Sequence, residues 1–138
     1  MTRQSGSIAP LIGRILISLI FILAGIAKVM SFSTELGYVA AAHLPFPRFS
    51  LGCGAAIEIF GGLCILTGLH TKVAAWIVFL FLIPTTLLFH NFWAMQGAAR
   101  MDNEGHFLKN LAIMGGLLFL ATHGAGAYSI DSARSPGS

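Results

Sequence analysis

From Ala9 to Met30 the chain offers water almost nothing: Arg14 and Lys28 are the only charged side chains in the run. A helix of this length, at about 1.5 Å per residue, spans the roughly 30 Å apolar core of a bilayer. Comparable runs recur at about 50–69, 73–93 and 106–122. In lipid every backbone polar group must find its partner inside the protein, and helices satisfy that requirement within one segment. The expected class is therefore all-α, a transmembrane four-helix antiparallel bundle over residues 9–124. A disordered N-terminus at 1–8 and a polar, disordered C-terminal tail at 125–138 flank it.

Composition excludes the soluble alternative. Only 9% of residues are charged and 56% are hydrophobic, whereas a soluble domain carries about a quarter charged residues. The net charge of +3 comes from singly scattered Lys and Arg. With no basic run, nucleic-acid binding is set aside and the excess reads as membrane-flank charge. The first run also exceeds the about 7–15 residues of a signal-peptide core, so it is a permanent helix. Cys53 and Cys64 share one segment, about 16 Å apart along a helix axis. They cannot pair within it and read as buried, inert thiols.

Polar residues inside the runs carry the next inferences. Arg14, Ser18, Gly25 and Lys28 fall in one sector of the first helix, a stripe suited to facing other helices. Arg14 is expected to snorkel to headgroups. In the following loop, 31–49, the stretch Glu35 to Ala42 suits a short interfacial helix, stopped by Pro45-Phe46-Pro47. Glu58 shares a face with Gly54, Gly61 and Gly62 and points into the bundle. An intramembrane carboxylate is a functional candidate by default. The competing structural reading is a lock on the bundle through Lys28 or Arg48. The short link His70-Thr71-Lys72 makes its flanking helices antiparallel neighbours, and Pro84 predicts a kink. Trp76 and Trp93 suit interfacial anchors.

The stretch from Leu87 to Asn110 joins the last two runs and concentrates chemistry. His90, Asn91 and Trp93 close one helix, and His106, Lys109 and Asn110 open the next on one face. Between them, 94–105 reads as a solvated loop with Arg100, Asp102 and Glu104. The topology gathers Lys28, Glu58, His90, Asn91, Trp93, His106, Lys109 and Asn110 at one end, with Glu58 roughly 12 Å below the surface. Both termini then lie on the other side, expected to be cytoplasmic. The positive-inside count balances, with Arg3, Arg14, Lys72 and Arg134 facing Lys28, Arg48, Arg100 and Lys109.

The same residues carry a resemblance. Gly13-Arg14, Ala24-Gly25-Ile26-Ala27-Lys28, Glu58-Ile59-Phe60-Gly61-Gly62 and Phe89-His90-Asn91-Phe92-Trp93 occur in this order. His106-Phe107-Leu108-Lys109-Asn110 and Tyr128-Ser129-Ile130-Asp131 follow. Together they resemble the DoxX family over about residues 10–131. The resemblance implies a four-helix protein of the bacterial inner membrane. The family's namesakes belong to a quinol oxidase or thiosulfate:quinone oxidoreductase system, so support of redox metabolism is the implied role.

Two functions compete. In the first, the cluster contacts quinone or quinol: Glu58 and His90 exchange protons, as catalytic groups. Phe89, Phe92, Trp93 and Phe107 form the slot. Lys28, Asn91, Trp93, His106, Lys109 and Asn110 bind quinone or a partner. In the second, the chain is a non-catalytic scaffold in which the cluster and residues 94–105 dock a soluble redox or stress-response partner. A metal or haem site ranks third, because no HxxxH or CxxC spacing supports one. A channel would require a homo-oligomer.

Overall fold

The computed structural model describes residues 6–135. Residues 1–5 of the expected disordered N-terminus, Arg3 included, and residues 136–138 of the tail lie outside that range. Among the described residues all regular structure is helical: α1 (Ala9–Met30), α2 (Phe32–Ala41), α3 (Pro47–Thr67), α4 (Thr71–Phe89), α5 (Gly97–His123) and α6 (Ile130–Arg134). A single 3-10 turn, Phe92–Ala94, links α4 to α5. Four of these elements are long and apolar enough to cross a membrane: α1, α3, α4 with its 3-10 extension, and α5.

Helix α1 turns one stripe inward. Arg14, Ser18, Phe21 and Gly25 are buried, at the 3–4 residue spacing of one helical face. That stripe lies along α3, and two glycines set the distance. A Cβ at Gly25 would sit 3.0 Å from the Ala55 carbonyl and 3.1 Å from the Glu58 Cβ, and one at Gly62 would sit 2.7 Å from Ile22. Such close approach without lipid between helices is the usual basis of membrane helix packing. Helix α3 packs on α4 and α4 on α5. Phe21, Ile65, Val78, Leu82 and Leu117 form the shared core.

Several boundaries differ from the sequence expectation. Pro47 does not merely precede the second span; it occupies its first turn, where proline's missing N–H has no intrahelical partner to lose. Helix α4 continues through Pro84 to Phe89. The largest difference is α5. It begins at Gly97, not near His106, so the expected loop with Arg100, Asp102 and Glu104 is two helical turns. Ala98, Ala99, Arg100, Met101 and Glu104 are good helix formers, and polarity there marks the exit from the apolar layer rather than the end of the helix.

The tail is also structured. Asp131 reaches back some sixty positions to cap α4. It accepts from the His70 N–H at 2.7 Å and the Thr71 N–H at 2.9 Å, while its own N–H donates to the Gly68 carbonyl at 2.8 Å. The turn it clamps needs left-handed backbone at Gly68 (φ 72°) and at His70 (φ 48°). Arg14 donates to the carbonyls of Tyr128 and Leu66. At 1% exposure it does not snorkel. It holds the C-terminal segment against α1, because those carbonyls have no helical partner and lipid offers none.

Candidate functional site

Lys28 sits in the last turn of α1 and Glu58 midway along α3, brought together by the Gly25 approach. The Lys28 Nζ lies 3.0 Å from Oε1 and 2.9 Å from Oε2 of Glu58. Glu58 is 5% exposed, and its Lys28 partner keeps some access to the outside. Of the two cations the sequence offered to Glu58, Lys28 is the one in contact. A buried carboxylate without a counter-ion would cost several kcal/mol, roughly 3–5 when a pair is broken.

Beside this pair lies a cavity of about 510 Å³, bounded by α2, α3 and α4. Val39 of α2, Leu51 and Gly54 of α3, and Phe81, Pro84 and Phe89 of α4 supply apolar wall. Lys28 enters the wall directly, and Glu58 reaches the cavity only through Lys28. Helix α2, anticipated as interfacial, closes one side and brings in Glu35. Sequence reasoning missed Glu35 as a site residue. Its i, i+3, i+4 relation to Tyr38 and Val39 was the available signal, since all three share one face and line the cavity. Cys53 is exposed and also lines it, contrary to the buried thiol expected.

His90 ends α4 and lines the same cavity. Its Nδ1 lies 3.2 Å from the Asn103 Oδ1, on the part of α5 expected to be loop. Its ring stacks on His106, with centroids 5.1 Å apart. From there the predicted cluster divides. His106 meets Lys109 Nζ at 3.2 Å and Asp102 at 3.7 Å on the outer face of α5. Phe92, Trp93 and Phe107 stack edge-on around one another at 5.3–5.9 Å, with Arg100 over the Phe92 ring at 5.9 Å. Of the expected aromatic slot only Phe89 faces the cavity. Trp93 is 53% exposed, in keeping with an interfacial anchor. Asn110 is buried and donates to the Thr86 hydroxyl at 3.0 Å, joining α5 to α4. Asn91 is half-buried at the start of the 3-10 turn, and its side chain does not cap it. Among the described residues no three His, Cys, Asp or Glu side chains converge as metal ligands would.

The opposite end holds the second polar group, Arg14 and Asp131. Burial pushes the Asp131 carboxyl up, but the N–H donors of Thr71 and His70 and the neighbouring His70 outweigh it. The carboxyl is held below its ordinary value.

The arrangement matches known sequences. The model of the DoxX family matches residues 9–91, from the start of α1 past the end of α4. The chain belongs to the DoxX family. The model of the SURF4 family matches residues 53–135 and overlaps the first match through most of α3 and all of α4. Among curated relatives, inner membrane protein YqjF of Escherichia coli is 39% identical over 129 residues, 94% of each chain. Inner membrane protein YphA of the same organism is 34% identical over 121 residues, covering 88% of this chain and 86% of that one. The ER-derived vesicles protein ERV29 of Saccharomyces cerevisiae is 32% identical over 78 residues, 56% of this chain and 25% of that one. No solved structure matches at the same stringency. With four membrane-length apolar helices and these relatives, the chain is a multi-pass protein of the bacterial inner membrane.

Proposed function

We propose that this DoxX-family protein supports redox metabolism by holding the ring of a quinone-class amphiphile in the cavity beside Lys28 and Glu58. The observation that carries the reading is an apolar cavity ending at a buried ion pair. Its volume of about 510 Å³ falls within the roughly 300–1,000 Å³ usual for small-molecule sites. Tyr38, Cys53 and Leu88 line it and are exposed. That favours a ligand arriving through the bilayer with its tail left in lipid. Glu58, acting through Lys28, and His90 are the groups placed to exchange protons with the ring oxygens. His106, Lys109, Trp93 and Asn110 lie away from this wall and serve the architecture or a partner. The exposed first turns of α5, with Met101, Asp102 and Glu104, favour a docking role as the second reading.

The test is to purify the protein in mild detergent, extract it with organic solvent and quantify quinone per chain. Glu58→Gln, matched for expression and helix content, is the comparison. Near-stoichiometric quinone in the native protein, lost in the variant, is expected. Quinone no higher than in an unrelated membrane protein purified alongside would overturn the reading and move the function to docking at α5.

A further inference from the structure

The cavity beside Lys28 carries charges of both signs, and its polar and apolar walls lie at different depths. Lys28 stands in the last turn of α1, Glu35 in the first turn of α2, Ser50 near the start of α3 and His90 at the C-terminal cap of α4. The ends of membrane-length helices mark the level of the lipid headgroups. Gly54 and Ile57 of α3, with Phe81 and Pro84 of α4, carry the wall away from those ends into the apolar layer. Polar lining at headgroup level and apolar lining below it is the order in which a membrane lipid is itself built. The charges, moreover, do not cancel. The Lys28 Nζ lies within 3.0 Å of both oxygens of Glu58, and an ammonium with three N–H groups keeps donor capacity beyond that one carboxylate. Glu35 lines the same cavity and forms no ion pair among the described residues. With Lys28 matched to Glu58, one carboxylate is left over. The Ser50 and Thr85 hydroxyls commit their protons to the Pro45 and Phe81 carbonyls, at 2.7 Å and 2.8 Å, and keep only acceptor capacity.

We infer that the cavity is a binding site for an amine-bearing zwitterionic phospholipid, with its phosphate on Lys28, its primary ammonium on Glu35 and its acyl chains along the α3–α4 wall. A phosphate is an acceptor that the remaining Lys28 N–H can serve, and an ammonium is the counter-ion that Glu35 lacks. Headgroups with half of this pattern fit worse. An anionic headgroup without an amine sets its phosphate against an unmatched Glu35. A quaternary ammonium brings the charge but no N–H for Glu35, Ser50 or Thr85. Low dielectric at the bilayer makes each mismatch costlier than it is in water. This occupant is independent of the ring ligand proposed above, which would displace it on entering the same cavity.

The full chain is purified in mild detergent and offered phosphatidylethanolamine, phosphatidylcholine and phosphatidylglycerol together, in equal amounts and with the same acyl chains. Native mass spectrometry then counts each lipid retained on the protein. The ethanolamine lipid is expected to be retained as a single copy, roughly tenfold over either of the others. Glu35→Gln, matched for helix content, keeps the side chain's size and removes its charge. It is expected to bring the ethanolamine and glycerol lipids within about threefold of each other. Soluble O-phosphoethanolamine, which has both charges and no chains, is expected to leave the bound lipid in place. Equal retention of the three lipids, or a preference for phosphatidylglycerol, overturns the inference. An undiminished ethanolamine preference in folded Glu35→Gln overturns it as well, because the charge match is then not what selects. Displacement by O-phosphoethanolamine would assign the site to a water-borne zwitterion and overturn the lipid. None of these outcomes bears on the ring ligand, which stands or falls on the quinone extracted from the native protein.

Discussion

At the end of the bundle that carries the chain termini, Arg14 and Asp131 are turned onto backbone. Arg14 holds the carbonyls of Leu66 and Tyr128, and Asp131 holds the N–H groups of His70 and Thr71. At the other end, Lys28 and Glu58 pair beside a cavity, and Glu35 and His90 line that cavity. Both ends contain a buried charge. The first closes the fold, since its partners are fixed backbone groups that nothing else can serve. The second leaves room and unmatched hydrogen-bonding capacity, as a binding site does. Burial of a charge therefore does not by itself identify function. What its neighbours still lack is the more telling observation.

The strongest way to break this comparison is Arg14→Ala. It leaves two carbonyls and a nearby carboxylate without their buried cation and opens a void in the α1–α3 contact. The expected loss is on the order of 3–5 kcal/mol, enough to abolish most folded protein. Monodisperse yield and thermal midpoint in detergent report it. A variant that purifies and melts like the native protein would show that the terminal end is not the structural lock.

Lys28→Met and Glu58→Leu sharpen the contrast from the other side. Each alone strands a buried ion and is expected to lower stability by roughly 3 kcal/mol. Combined, they remove both ions and are expected to recover most of that loss, because a buried pair contributes little over apolar residues of similar volume. The double variant should fold and insert, yet bind no quinone-class ligand. Additive losses would mean that the pair is primarily structural, like Arg14.

The smallest effect is a pH dependence at Asp131. Its folded carboxyl sits below its ordinary value. Its stabilising contribution is therefore fully present above the unfolded value, about 4, and is lost as pH falls through the lowered folded value. Asp131→Asn is expected to cost about 1 kcal/mol at neutral pH, the usual scale for a helix N-terminal cap. The gap to the native protein should close in acid. Melting curves from pH 7 to about 3 that stay parallel would show that the ionised carboxylate does not carry the cap.

Much of the architecture was legible in the residues. The four spans follow from apolar length, the inward stripe of α1 from the 100° spacing of Arg14, Ser18 and Gly25, and the close approach of other helices to α3 from the glycines sharing a face with Glu58. The start of α5 was misread because hydropathy reports the solvent around a segment rather than its backbone conformation. Gly97 to Glu104 leaves the apolar layer while remaining helical. The gathering of Lys28, His90 and His106 at one end was legible as well. Its division into a cavity wall, an outer histidine face and a buried Asn110–Thr86 bond was not.

The sequence by itself determined that the chain crosses a membrane in four helices, and which charged residues lie at helical depth. Both follow from local length and periodicity, which each segment carries without reference to the others. Only the tertiary structure decided which partner each charge has. Arg14 and Tyr128 are separated by 114 positions, His70 and Asp131 by 61, and Lys28 and Glu58 by 30. Glu35 entered the site for the same reason, because α2 packs on α3 and shares a cavity wall with α4. In lipid a charge must find a partner among the groups that packing brings near it. Packing of whole helices against one another is a property that no single segment encodes.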